Sequence, residues 1–484
     1  MTEILVKFLF LLPIISIMCL LAIEKNNLNE LRLCASVCSF TILIITLLIQ
    51  FGISVHFEYF SYSTIFKISD HFNIYYSIGI DGLSYYLLLL TTLLTIICIV
   101  VIWEIKVKLK EFLITLFTIE FLLLNVFCSI DLLFFYIFFE AILIPMFIMI
   151  GLWGARERKI QAAYRFFLYT FFGSIFLLIA IIYIYTSYGT TYSGILTYFN
   201  YIPDIQKLVW LGFFISLAVK VPMFPVHLWL PEAHTEAPTA GSVLLAGILL
   251  KMGTYGILRF LLPFFPFATT YFTPAVFTIC CIGIIYMSLT ALRQGDLKKA
   301  IAYSSVAHMS LVIIGLFTNT LSGIKGATFL MISHGIVSSA LFIVIGVIYD
   351  RYKTRNLRYY GGLALVMPLF ATTFLIQILS NMGFPGTSGF IGEFLILLLA
   401  FNSNSVVAAI ATTGVILSAA YSVWLYNRVC FGAIKQIYIK YYADINEREF
   451  GTLLMLSIFT LILGMYPNII LNAIDSTLMR VIIQ

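Results

Sequence analysis

Charge is scarce in this chain. Lysine, arginine, aspartate and glutamate make up 10% of 484 residues, against 62% hydrophobic ones, and mean hydropathy is +1.05. Soluble domains carry roughly 25% charged residues, so there is too little polar surface here to cover a water-facing globule. Cysteine is also sparse and badly spaced for ligation. All eight cysteines lie in or beside apolar runs and none forms C-x-x-C, so zinc, iron–sulfur and thiol-redox sites lack their pattern. Cys34 and Cys38, four apart on one helix, read as packing residues. No Gly-rich phosphate loop follows a strand and no haem pattern occurs, so a redox or nucleotide site is not expected. The basic loops are short and lack interleaved aromatics, which excludes nucleic acid as a partner.

Long apolar runs are what the chain has in abundance. About 20 such residues span the hydrocarbon core as a helix, and helices satisfy their own backbone where no water can. The period-two signal of a barrel is absent. The expected fold is all-α: a polytopic membrane bundle of about fourteen spans. They lie near 5–23, 33–53, 81–103, 112–128, 132–150, 162–186, 207–237, 241–262, 272–292, 300–317, 326–349, 363–400, 405–428 and 452–474. The first has no small-residue cleavage site and reads as a retained helix. Basic residues gather in alternate loops, for example Lys106, Lys108 and Lys110, then Arg351, Lys353, Arg355 and Arg358, then Arg428, Lys435 and Lys440. By the positive-inside tendency, odd-numbered helices then end on the matrix or cytoplasmic side.

Spans seven and twelve are too long and hold breakers. The seventh contains Pro222, Pro225, Pro231 and Pro238; the twelfth contains Gly383, Pro385, Gly386 and Gly389. Proline removes a backbone donor and glycine loosens a helix, so both are expected to be broken. They stand five spans apart. Two five-helix units, 112–262 and 272–428, would place them equivalently and in opposite orientation. Such inverted repeats put transport sites at broken helices. Residues 1–111 would add three helices before the repeats, and 452–474 one after them, in a single membrane domain.

A charge at a helix centre costs at least ~2.5–3.5 kcal/mol on insertion scales, so each one is a functional hypothesis. The set is Glu120, Glu140, Lys220, Lys251 and Glu393, with His308 and His334. A buried ion pair that only fixes packing accounts for any one of them, but poorly for groups of both signs in separate helices. Proton relay suits the set better. Burial disfavours a charged lysine and a nearby carboxylate restores it. At ~4 Å and an effective dielectric of ~20 the pair interacts by roughly 4 kcal/mol, about a thousandfold in proton binding. Histidines titrate close to physiological pH and bridge longer gaps. For His308 and His334 an ordinary core role weighs about equally. His227 and His234 have no matching ligand set, so no metal is expected.

Several runs resemble a known family. Phe138-Phe139-Glu140-Ala141 with Ile144-Pro145-Met146, the run Lys220 to Thr239 continuing to Lys251, Ser304 to Met309, Ser333-His334-Gly335 and Phe390-Ile391-Gly392-Glu393 are similar to the antiporter-like subunits of respiratory complex I. The likeness covers essentially the whole chain, and 220–251 is its most specific part. Glutamate at 393, where sister subunits tend to carry lysine, favours one member over the others. The resemblance implies a channel of buried polar groups along the membrane midplane. In it Glu140 and Lys220 are the modulating ion pair, Lys251 is the central relay helped by His308 and His334, and Glu393 is the terminal exchange site. It implies no cofactor bound by this chain, with NADH, FMN, iron–sulfur clusters and ubiquinone in partner subunits. The implied partners are other membrane-arm subunits of complex I, membrane lipids and protons, in the mitochondrial inner membrane. Glu120 is given no role.

Three other readings stay open. A subunit of a multisubunit sodium/proton antiporter shares the fold and much of the charge set. A non-pumping scaffold subunit is opposed by the buried charges. A bacterial inner membrane is an alternative location.

Overall fold

The computed structural model describes residues 2–52, 62–67, 73, 75–199, 201–435, 438, 439 and 441–483. Residue 53, the expected end of the second span, and Lys440 lie outside that set. In chain order, α1 is Thr2–Ala22 and α2 Leu28–Gly52, followed by a hairpin of β1 (Tyr62–Lys67) and β2 (Tyr75–Ile80). Next come α3 Gly82–Val101, α4 Leu109–Cys128, α5 Leu132–Ala141, α6 Leu143–Trp153, α7 Lys159–Tyr188, α8 Ser193–Leu196, α9 Pro203–Lys220 and α10 Trp229–Glu236. The run Thr239–Phe264 is continuous, with α11 Thr239–Leu244, α12 Leu250–Gly256 and α13 Leu262–Phe264 separated by π turns at Leu245–Leu249 and Ile257–Leu261. Then follow α14 Pro266–Arg293, α15 Leu297–Phe317, α16 Leu321–Tyr352, α17 Leu363–Val366, α18 Pro368–Asn381, α19 Ser388–Ser403, α20 Ser405–Cys430, α21 Glu447–Met465 and α22 Asn468–Ile483.

Among the described residues, twelve helices are long and apolar enough to cross a membrane. The two expected crossings missing from that set are the seventh and twelfth, and both are broken. The seventh stops at Lys220 and resumes as α10; the twelfth stops at Asn381 and resumes at Ser388. With these two, the fourteen expected crossings are present. Two features depart from the sequence reading. The aromatic and β-branched stretches Tyr62–Lys67 and Tyr75–Ile80 pair antiparallel, with Tyr62 opposite Ile80, so the chain carries one hairpin beside its helices. The last apolar run does not continue to 474: α21 ends at Met465, and after Pro467, which lacks the donor a continuing helix needs, α22 begins.

Polar residues at the starts of crossings fix where they begin. Asp81 accepts from the Ser84 amide at 2.9 Å, Asp131 from the Leu133 amide at 2.8 Å, and Asn404 from the Val406 amide at 3.0 Å. Each satisfies an amide that the helix itself leaves orphaned.

Two compact units divide the chain. One comprises Met1–Val221, Ile248–Pro274 and Asn472–Gln484; the other comprises Pro222–Gly247 and Ala275–Leu471. Within the first, small residues allow close approach. Gly253 on α12 lies against Val221 and the Leu217 carbonyl, and Gly256 against the Leu217 side chain. Within the second, α16 is the central post: its apolar window is wholly buried, and it packs against α11, α15, α18, α19 and α21.

Candidate proton-relay site

In the first unit, Glu140 sits at the end of α5, where the fifth crossing is interrupted. Pro145 has no amide to offer the Ala141 carbonyl, and its ring crowds that carbonyl, so the helix breaks at Ile142 and restarts as α6. The carboxylate is half-buried, and Oε1 finds no hydrogen-bond donor among the described residues. Lys220, the last residue of α9, is 4% exposed. Its ammonium lies 3.5 Å from the Phe139 carbonyl and 4.4 Å from the centroid of the Phe139 ring. Lys220 thus docks on the residue next to Glu140, and the two charges feel each other without a direct bond.

Lys251 is wholly buried on α12, between the two π turns. A π turn widens a helix by one residue and often marks a functional site. Four residues on, the Tyr255 hydroxyl donates to the Phe127 carbonyl at 2.9 Å and accepts from Arg259 Nε at 3.1 Å. Arg259 is ion-paired with Asp81 and donates to Ser84 at 3.1 Å. Sequence reasoning did not single out Arg259, although its place inside the eighth span carries the same signal as Lys251. Glu120, on α4, is fully buried. Its Oε1 accepts from Thr95 at 2.9 Å, and its Oε2 has no donor among the described residues.

The second unit brings together three of the expected residues. His308 (α15) places Nδ1 3.2 Å from Glu393 Oε1 (α19), and its ring centroid lies 5.8 Å from that of His334 (α16). All three are at most 7% exposed. The break before α19 shapes this site. Gly383 and Gly386 adopt φ of 72° and 89°, the left-handed region that glycine enters freely, and the Glu393 carboxylate fills the space where a Cβ on Gly383 would lie. A cavity of about 210 Å³ is lined by His308, Ser333, His334, Asn381 and Glu393. Tyr421 on α20, which nothing in the sequence sets apart among 29 tyrosines, holds its hydroxyl 3.2 Å from His308 Nε2.

A second charged cluster in this unit is also new. Arg355 is 1% exposed, with Glu236 at 3.4 Å and Asp296 at 3.6 Å. Lys298 is buried and donates to the Ala237 carbonyl at 2.8 Å. In sequence Arg355 and Lys298 look like ordinary loop bases, which is why the positive-inside pattern absorbs them.

Among the described residues no group of His, Cys, Asp and Glu is arranged to hold a metal ion.

Comparison with known proteins agrees with this architecture. The family model described as NADH:quinone oxidoreductase/Mrp antiporter, TM, matches residues 129–418. NADH-ubiquinone oxidoreductase chain 4 of Chondrus crispus is 53% identical, across 96% of this chain and 94% of the relative. That of Arabidopsis thaliana is 51% identical, across 98% and 96%. Among solved structures, respiratory complex I from Thermus thermophilus with bound NADH contains a chain with a TM-score of 0.88 and 28% identity, covering 99% of both chains. A chain of the Mrp complex from Dietzia sp. DQ12-45-1b shares the fold at a TM-score of 0.85 and 19% identity, covering 99% of this chain and 98% of that one. With half its residues shared with such relatives over nearly its whole length, the chain belongs to the NADH:quinone oxidoreductase/Mrp antiporter membrane family, among the NADH-ubiquinone oxidoreductase chain 4 proteins.

Proposed function

We propose that this chain translocates protons as an antiporter-like subunit of respiratory complex I in the mitochondrial inner membrane. Electron transfer from NADH to ubiquinone in other subunits drives it, and the chain carries no redox cofactor of its own. The observation that supports this most is Lys251, a lysine without exposure in a helix widened on both sides of it. A packing role gives no reason to bury an ammonium there, because replacing buried ions by apolar residues is often neutral or stabilising.

Placement and resemblance together support a role for each residue. Glu140 at its proline-made break and Lys220 at the end of α9 form the modulating pair. Lys251 holds the transferred proton, His308 and His334 pass it on, and Glu393 exchanges it. The division into three N-terminal helices and two inverted five-helix repeats, with broken helices at equivalent places, belongs to the same proposal. Other membrane-arm subunits and lipids are the partners in this reading.

The test is made in inner-membrane vesicles, comparing native complex with Lys251→Met. NADH oxidation with an artificial acceptor should stay native while NADH-driven proton uptake collapses. Native uptake from a fully assembled variant would overturn the relay. The antiporter reading is favoured only by the shared Mrp fold. A native gel stained for NADH oxidation separates the two, since an antiporter subunit would migrate in a smaller band without that activity.

A further inference from the structure

We propose that Tyr421 is a further relay residue, which joins the His308–Glu393 pair to a separate cavity in the same unit. This rests on the proton-translocating reading above and adds a branch to it.

Three cavities meet at these side chains. One of about 300 Å³ is lined by Ser288, His308, Glu393, Ser418 and Tyr421. The second is the 210 Å³ cavity of His308, His334 and Glu393. The third, about 280 Å³, is lined by Ser304, Asn381, Tyr421 and Ser422, and neither His308 nor Glu393 reaches it. The space open to a water in that third cavity is about 10 Å³, room for about one. Tyr421 is therefore the group that stands both on the third cavity and on His308. Its hydroxyl lies 3.2 Å from His308 Nε2, and its side chain shares the wall of the third cavity with Ser304 and Asn381. Asn381 is fixed in turn by its hydrogen bond to Ser422, at 3.4 Å.

A phenol and an imidazole in this order pass a proton without leaving charge behind. The Tyr421 O–H bond breaks as its proton forms a bond to His308 Nε2. The Nδ1–H bond of the same ring breaks as that proton moves to the Glu393 carboxylate, 3.2 Å away. The phenolic oxygen takes a proton from a hydronium ion on the Ser304–Asn381 side. Three bonds to hydrogen break and three form, and one positive charge moves from the cavity to Glu393. Exchange of the proton between the two ring nitrogens resets the path. A hydroxyl that only braced His308 would not need a place on a cavity wall beside Ser304 and Asn381.

The test compares Tyr421→Phe, Glu393→Gln and Ser304→Ala in assembled complex I in sealed inner-membrane vesicles. Assembly is checked by native gel and by NADH oxidation with an artificial acceptor. Glu393→Gln closes both routes and should abolish NADH-driven proton uptake, while Tyr421→Phe slows its own branch by at least about a hundredfold and should lower uptake part of the way. Native uptake by Tyr421→Phe while Glu393→Gln loses it overturns the Tyr421 branch and leaves the relay standing. Native uptake by both overturns the relay and the branch with it. Should Tyr421→Phe fail to assemble, Ser304→Ala decides: reduced uptake supports the branch and native uptake overturns it.

Discussion

Lys298 hydrogen-bonds, at 2.8 Å, the carbonyl of Ala237, the residue at which the Pro-rich seventh crossing ends and the eighth begins. A break strands carbonyls, and a buried stranded carbonyl costs about 1–3 kcal/mol. Lys298 caps this one. Replacing it with Met should lower stability by about that amount. The check is thermal disassembly of the complex on native gels, where a midpoint equal to native would refute the capping role.

Lys220 holds the carbonyl of Phe139 rather than the carboxylate of Glu140. Its charge therefore acts on Glu140 without a direct bond. Lys220→Met should cut NADH-driven proton uptake at least about tenfold, a barrier change of roughly 1.4 kcal/mol, with assembly unchanged. Uptake assays in vesicles decide this, and Lys220→Arg should recover part of the loss.

Gly253, two residues after Lys251, lies against the end of α9. A Cβ at 253 would meet Val221 Cγ2 at 2.7 Å and the Leu217 carbonyl oxygen at 3.0 Å. Gly253→Ala should push α9 and its Lys220 away from α12. Overpacking of this kind costs about 1–3 kcal/mol. The prediction is reduced proton uptake with artificial-acceptor NADH oxidation intact; native uptake would show that this spacing is not critical.

Gly82 begins α3 beneath the C-terminal helix, and a Cβ there would overlap the Ala473 carbonyl of α22. Gly82→Ala should loosen α22 and expose it to protease. Limited proteolysis with a C-terminal tag reads this directly, and unchanged protection would argue that the helix shifts without undocking.

The crossings were legible because long apolar runs leave few alternatives, and the breaks because Pro222 with Pro225 removes backbone donors while Gly383 with Gly386 loosens the helix. Other features had weaker signals. The interruption beside Glu140 follows from Pro145, a residue that the sequence reading used only as part of a motif. The π turns flanking Lys251 have no breaker to announce them. Pro467 was passed over inside an apolar run, so two helices read as one. Arg355, Lys298 and Tyr421 were missed for one reason. Their importance comes from partners distant in the chain, and composition near them is ordinary.

The central position of α16 has a consequence for how the protein is made. Its apolar window is wholly buried in the finished subunit, among neighbours that include α18, α19 and α21. Those three helices are synthesised after it. A newborn α16 therefore enters the bilayer before Ser388 of α19, which accepts from its Ser333 hydroxyl at 2.8 Å, has been made. Truncation or stalling between residues 352 and 388 would leave this buried hydroxyl without that partner, and quality control in the membrane has in it a local mark of an unfinished chain.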